Sequence, residues 1–184
     1  METIYIKNMV CNRCIVSVLN IFKTEDYTVE SLKLGEVVAI KGLKSEFGNL
    51  SYALEKAGFE IIENDNDALI EKIKVAIIHK IEIGETANLF QALAVKFSKT
   101  EAALSKLFSK SEGLTLEKYT INLKIEKVKE HIQLGQLNFS EIAYSLNYKT
   151  SSHLARQFKA VTGMSMSNYK SLGSWDRKTL DRIV

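Results

Sequence analysis

Lys149-Thr150-Ser151-Ser152-His153-Leu154-Ala155-Arg156-Gln157-Phe158, followed by Gly163 and Tyr169, restates a stretch lying 50 residues earlier. There the chain reads Lys99-Thr100-Glu101-Ala102-Ala103-Leu104-Ser105-Lys106-Leu107-Phe108, followed by Gly113 and Tyr119. Six of the 21 positions from Lys99 to Tyr119 recur between Lys149 and Tyr169, and self-similarity at a fixed offset marks a duplicated supersecondary unit. Upstream of each copy sits a short apolar segment containing Leu93-Ala94 or Ile142-Ala143, the first copy reaching its threonine one residue sooner. Each copy therefore reads as helix, turn, helix. Between them, Leu116, Tyr119, Leu123, Val128 and Ile132 share a face of a helix from about 116 to 134, which at about 1.5 Å per residue is about 28 Å long.

In the second helix of each copy, Leu104, Leu107 and Phe108, matched by Leu154 and Phe158, form the inner side. The opposite side carries Ala102, Ala103, Lys106, Ser109 and Lys110 in one copy and Ser152, His153, Arg156, Lys159 and Ala160 in the other. Small residues let a helix sink into the major groove of double-stranded DNA. Lys106 or Arg156 can address guanine O6/N7 there, and Lys110 and Lys159 can meet phosphates. Helices entering successive major grooves on one face must sit about 34 Å apart, so one chain with such a spacer is suited to two adjacent turns.

Charge supports the same half. The 184 residues carry +3 overall, but residues 1–74 hold 9 Lys/Arg against 12 Asp/Glu, whereas residues 75–184 hold 16 against 10. The basic half is the better match for a polyanion. With 46% hydrophobic and 26% charged residues the chain can bury real cores, which excludes disordered and collagen-like classes. The longest apolar runs, such as Val37–Ile40 and Val75–Ile78, are far below a membrane-spanning length, so the expectation is a soluble, cytoplasmic protein.

The first 64 residues switch hydrophobic period repeatedly. Thr3 to Lys7 alternates; Ile15, Val18, Leu19 and Phe22 follow helical spacing; Tyr27–Lys33 and Glu36–Lys41 are strands joined at Leu34-Gly35. Phe47, Leu50, Leu54 and Ala57 imply an amphipathic helix closed by Gly58, before Phe59-Glu60-Ile61-Ile62 resumes the extended pattern. The order βαββαβ predicts a ferredoxin-like α+β domain over residues 1–64. Glu63 to Asp67 is a polar break, with Asp65, Asn66 or Asp67 placed to cap the helix implied by Leu69, Ile70, Ile73, Ile77 and Ile81. An all-α domain of two helix-turn-helix units joined by a long helix then occupies 65–172. Residues 173–184, with Trp175, Arg177, Lys178 and Arg182, form a tail that reads as a short amphipathic extension in which Trp175 packs on the last helix.

Cys11-Asn12-Arg13-Cys14, the chain's only cysteines, falls where the first strand gives way to the first helix. The helix end and Arg13 supply positive potential that lowers thiol pKa, and two soft thiolates at this spacing can pinch one soft ion such as Cu(I). Ag(I), Zn(II) and Cd(II) remain compatible with the same softness argument. A closed tetrahedral zinc site needs ligands from elsewhere, and the histidines, at 79, 131 and 153, all lie in the other half. Vicinal thiols can also form a disulfide, so a redox sensor is the rival reading.

Residues 2–63 resemble the heavy-metal-associated family of copper chaperones and copper-pump modules, on Met9, Cys11, Cys14, the element order and Ala57-Gly58-Phe59. The resemblance implies Cys11 and Cys14 as metal ligands and Met9 as a buried support of the loop; Asn8 and Val10 stand where that family has Gly and Thr. Residues 68–172 resemble the AraC/XylS family of transcription regulators. The resemblance is strongest from Phe139-Ser140-Glu141-Ile142-Ala143 through Leu146-Asn147-Tyr148, Ser152-His153-Leu154, Phe158-Lys159, Thr162-Gly163 and Tyr169. Asn147 occupies the family's turn glycine and Met166 its proline. The resemblance implies recognition roles at 102, 103, 106, 152, 153 and 156, with RNA polymerase as a further partner. Ala102 and Ala103 offer thymine-methyl contacts at most, and His153 suits a phosphate, the turn or a base edge.

The combined expectation is a one-component regulator whose N-terminal module senses a soft metal and whose C-terminal module binds DNA, with metal-bridged homodimerisation as one route. A metal-delivery or protein-docking role for the first module is the alternative from another class. No Ser/His/Asp set, paired carboxylates or phosphate-cradling glycine loop stands in a catalytic context, so an enzyme is not expected.

Overall fold

Ile4 and Ile6 are buried while Thr3 is exposed and Tyr5 and Lys7 are half-buried, and this alternation sets the inner face of the first strand, β1 (Glu2–Lys7). The computed structural model describes residues 1–173, 175–180 and 183, in two units, Met1–Ala76 and Ile77–Val184. In the first unit β1 is followed by α1 (Asn12–Thr24), β2 (Tyr27–Lys33), β3 (Glu36–Lys41), α2 (Phe47–Lys56) and β4 (Glu60–Ile62). The strands form an antiparallel sheet in the order β2-β3-β1-β4, with Thr3 opposite Val38 and Ile6 opposite Ile61. Gly35 takes φ +80° in the β2–β3 turn, a conformation open to glycine because it lacks a Cβ.

Val18 and Phe22 of α1 and Leu50 and Leu54 of α2 join Ile4, Ile6, Val37 and Ala39 in one core, closed by Met9, Tyr27 and Phe59. Phe47 and Ala57, expected on the buried side of α2, are exposed. They stand at the first turn and just past the last, where the chain leaves the sheet.

The next helix, α3 (Asp65–Glu82), begins where the polar break was expected, but Asn64 caps it, its Oδ1 accepting the Asp67 N–H at 2.9 Å. The division between the units falls inside α3, twelve residues beyond the 64/65 break expected from sequence. The reason lies in the packing of the helix's first half. Lys72 reaches Glu36 at 3.4 Å and lies over the Tyr5 ring, and Glu71 accepts a hydrogen bond from Asn8. Asp65–Ala76 thus belongs with the sheet.

The second unit is helical: α4 (Leu89–Lys96), α5 (Glu101–Glu112), α6 (Leu116–Leu134), α7 (Phe139–Ser145), α8 (Ser151–Thr162) and α9 (Met166–Leu172). The long helix α6 spans the range its periodicity implied, with Leu116, Tyr119, Leu123, Val128 and Ile132 buried. The duplication is physical as well as sequential. Thr100 and Thr150 cap α5 and α8 by accepting the Ala103 and His153 N–H groups, each at 3.1 Å. Gly113 and Gly163 end the same helices at φ +71° and +80°. Thr115 and Ser165 then cap α6 and α9 alike, so Met166 needs no proline to start its helix. Leu107 departs from expectation in being only half-buried, whereas Leu104, Phe108, Leu154 and Phe158 are fully buried.

Of the tail, residues 175–179 are non-helical, and Trp175 packs on the last helix as expected. Trp175 packs against Tyr169 at 5.7 Å, and Lys129, paired with Glu126 at 2.7 Å, donates to the Asp176 carbonyl at 2.8 Å. The Lys178 N–H donates to Glu126 at 2.9 Å. A buried ion pair is satisfied by the tail backbone, which is what holds the segment down. Arg182 lies outside the described residues.

Candidate DNA interface and thiol pair

The turns that aim the second helix of each pair are built alike. Ser98 and Asn147 both sit in the left-handed region, at φ 50° and 57°, and just beyond them the Lys99 and Tyr148 N–H groups donate to the Ala94 and Ala143 carbonyls at 3.0 and 2.9 Å. Asn147 tolerates this conformation because its short amide can bond locally. Its Nδ2 donates to the Gly84 carbonyl and, at 3.3 Å, to Thr86 Oγ1, tying the turn to the segment before α4.

With Leu104 and Phe108 inward, Ala102, Ala103, Lys106 and Lys110 are exposed along α5; with Leu154 and Phe158 inward, Ser152, His153, Arg156 and Lys159 are exposed along α8. Each set occupies one face of one helix, and the two faces hold equivalent places in the repeat. Ser109, included on the outer side from the helical wheel, is half-buried.

Sequence reasoning missed the clamp beneath the second turn. Lys124 of α6 donates to the Leu146 carbonyl at 2.9 Å and lies 5.2 Å from the Tyr148 ring centre; burial pushes its ammonium below the usual lysine value. Burial also pushes the Tyr148 phenol up to about 12, and its hydroxyl donates to Gln157 Oε1 on α8. His153 packs edge-on against the Tyr148 ring at 5.5 Å. Linker helix, turn and second helix are thus locked together through Tyr148.

These observations assign a recognisable architecture. Residues 93–171 match the family model described as a helix-turn-helix domain. The match spans both repeat units, so a helix-turn-helix domain is present where the motifs placed it. No curated protein matches the chain. Among solved structures, the C-terminal domain of AraT, a response regulator from Geobacillus stearothermophilus, is similar with a TM-score of 0.53 and 17% identity over 59% of this chain and 88% of that one. The C-terminal domain of the two-component response regulator yesN from Fusobacterium nucleatum gives 0.49 and 20%, covering 58% and 99%. The transcriptional regulator CdpR from Pseudomonas aeruginosa gives 0.48 and 12%, covering 93% of this chain and 55% of that one. The helix-turn-helix match supports a DNA-binding regulator, and the likeness to the AraT domain shows the fold alone.

The thiols stand together at the other end of the chain. Cys11 is the N-cap of α1 and its carbonyl accepts the Cys14 N–H at 3.0 Å, which brings the two sulfurs to 3.4 Å. The Cys14 thiol also donates to the Asn8 carbonyl at 3.9 Å, and Met9 is buried beneath the loop. Burial raises the Cys11 thiol, but hydrogen bonds from Cys14 and Arg13 outweigh it and leave Cys11 below the ordinary cysteine value. Cys14 goes the other way, raised first by burial and further by the neighbouring Cys11 sulfur. The expectation that helix end and Arg13 lower both thiols therefore holds for Cys11 alone.

Two thiolates about 2.3 Å from a shared ion would lie roughly 3.8 Å apart at a tetrahedral angle, so this pair needs to open only slightly to chelate one. Among the described residues no group of three or more His, Cys, Asp or Glu side chains is placed to hold a metal. Among the described residues the donor set is thus two soft sulfurs, which suits Cu(I) better than a four-ligand zinc site. No helix among the described residues is long and apolar enough to cross a membrane.

Proposed function

We propose that this chain is a one-component, cytoplasmic transcription regulator that grips double-stranded DNA with α5 and α8 and answers to a soft metal ion, Cu(I) first, held by Cys11 and Cys14. The observation that carries the DNA-binding part is the twofold recurrence of cap, turn and exposed face: Lys106 recurs as Arg156 at the same register 50 residues on, and each face adds a lysine near the end of its helix, Lys110 in one copy and Lys159 in the other. In this reading Lys106 and Arg156 address base edges and Lys110 and Lys159 meet phosphates. Ala102, Ala103 and Ser152 allow close approach, His153 suits a phosphate, the turn or a base edge, and α6 spaces the two readers. RNA polymerase is the expected protein partner of such a regulator. Regulators of this kind are typically not enzymes.

Support for the metal part comes from the thiol separation of 3.4 Å and from the topology around it. A β2-β3-β1-β4 sheet with both helices in one core is compatible with a ferredoxin-like, heavy-metal-associated module over residues 1–64. When bound, a soft ion would supply charge neutralisation and a fixed sulfur geometry at the start of α1. Thiolates contributed by a second chain would complete a four-sulfur site and bridge two protomers.

The asymmetry of the pair favours one second reading, a thiol redox sensor. A Cys11 thiol held below the ordinary cysteine value, facing a Cys14 thiol raised above it, makes Cys11 the readier nucleophile and Cys14 the resolving partner. Diamide or peroxide would accept the two electrons and two protons released as the disulfide forms.

An anaerobic titration of the reduced protein with Cu(I) against a chromophoric chelator separates the readings. One ion per chain, or one per two chains with doubled mass in light scattering, lost in Cys11→Ser/Cys14→Ser, supports the metal reading. Absence of competition, with a diamide response abolished by either single serine, supports the redox one. If neither appears, a protein-docking role for the first module takes their place.

A further inference from the structure

Asn8 stands between the thiol pair and a buried charge. It is held in the left-handed region at φ 70°, its side-chain amide donates to the Gly58 carbonyl at 3.0 Å, and its own carbonyl accepts the Cys14 thiol. Its backbone N–H donates to Glu71 Oε2 on α3 at 3.2 Å, across 63 residues of sequence. Glu71 is only 4% exposed, and its other oxygen pairs with Lys74, 7% exposed, at 2.9 Å. A carboxylate withdrawn from water this far is costly unless its lone pairs are used, and here a main-chain amide of the thiol loop uses one of them. Asparagine adopts the left-handed region readily, and at Asn8 three hydrogen bonds fix it there.

We propose that Glu71 is a positioning residue that couples the state of the thiol pair to α3, with Asn8 as the link. The inference rests on the metal response proposed above. Opening the sulfurs from 3.4 Å to chelate an ion moves the Cys14 Sγ that faces the Asn8 carbonyl, so Asn8 loses one of the contacts that fix its conformation, and the amide facing Glu71 shifts with it. Glu71 feels that shift on a helix that runs on to Glu82, beyond the division of the chain at Ala76/Ile77. Reciprocity then requires that α3 in turn influence how tightly the sulfurs hold an ion.

The test is hydrogen exchange of the full chain, read at the α3 amides from 68 to 76, without and with one equivalent of Cu(I) under anaerobic conditions. Three proteins are compared: the parent, Glu71→Gln, which keeps an acceptor for the Asn8 N–H, and Glu71→Leu/Lys74→Met, which removes both charges and leaves no unpaired lysine. The expected result is a change of about fivefold or more in the parent and in Glu71→Gln and less than about twofold in the double variant, all three binding one ion. An equal change in the double variant, or none in the parent, overturns the coupling. DNA affinity measured on the same samples keeps the two ideas apart. If α3 responds while DNA affinity does not, the metal-response reading is lost and the coupling stands; if no Cu(I) binds, both are lost.

Discussion

Phe158 and Tyr169 meet edge to face with ring centres 5.6 Å apart, pinning α8 to α9. Phe108 and Tyr119 hold the equivalent relation between α5 and α6 at 5.1 Å. All four rings are buried. Each pair is the hinge pin of one helix-turn-helix unit, fixing the angle at which the exposed face of the second helix is offered.

Truncating either phenylalanine should therefore cost about the same. Phe108→Ala and Phe158→Ala are each expected to lower stability by about 3–5 kcal/mol in urea denaturation of the full chain. A cost below about 1 kcal/mol at either position would show that ring not to be a core element of its unit.

Asn147 turns the chain into α8 with a positive φ and two side-chain hydrogen bonds. Asn147→Val, β-branched and without the amide, should lose about 1–3 kcal/mol and weaken DNA binding with it, whereas Asn147→Gly should stay within about 1 kcal/mol. Equal thermal midpoints for the two variants would contradict this.

On DNA, the exposed residues of α8 should divide by role. Arg156→Ala is expected to weaken binding to a selected site by about 1–3 kcal/mol and to relax one base position. Lys159→Ala should weaken all sequences alike and reduce the slope of log affinity against log salt by about one. Salt slopes and site selection on the two variants check the division, which an Arg156→Ala protein of unchanged sequence preference would refute.

Alkaline stability should report Tyr148. Its folded pKa is about 12 against about 10 for an unfolded tyrosine, so the proton is held more tightly in the folded state. The corresponding stability is fully present below about pH 10 and is lost as pH rises toward 12, with a ceiling of about 2.7 kcal/mol. Denaturation across that window should show a smaller fall for Tyr148→Phe than for the parent; identical pH profiles would contradict the assignment.

What was legible in the sequence follows from how local each demand is. Thr100 and Thr150, Gly113 and Gly163, and the Phe–Tyr pairs are repeated letters because each answers a need set within its own unit, a cap, a left-handed end or a packed ring. The βαββαβ order was readable for the same reason, through Ile4/Ile6 alternation and the Val18/Phe22 spacing. The Asn8–Glu71 bond had no such signature, since its partners lie 63 residues apart and neither belongs to a motif. Without it the first half of α3 could not be allotted to the sheet. The opposed behaviour of Cys11 and Cys14 was hidden too, because sequence places both under one helix end while only the folded loop decides which sulfur receives the hydrogen bonds and which is buried. The tail's hold on Glu126 and Lys129 likewise runs through backbone groups that any sequence carries.

The measurement that bears most directly on the whole account is DNA affinity of the full chain under anaerobic conditions, with and without one equivalent of Cu(I), beside Cys11→Ser/Cys14→Ser. Coupling between a metal site and a DNA site is expected to change affinity by about fivefold or more in the parent and to leave the double variant unmoved. Tight DNA binding that is the same in all four samples would contradict a metal-responsive regulator.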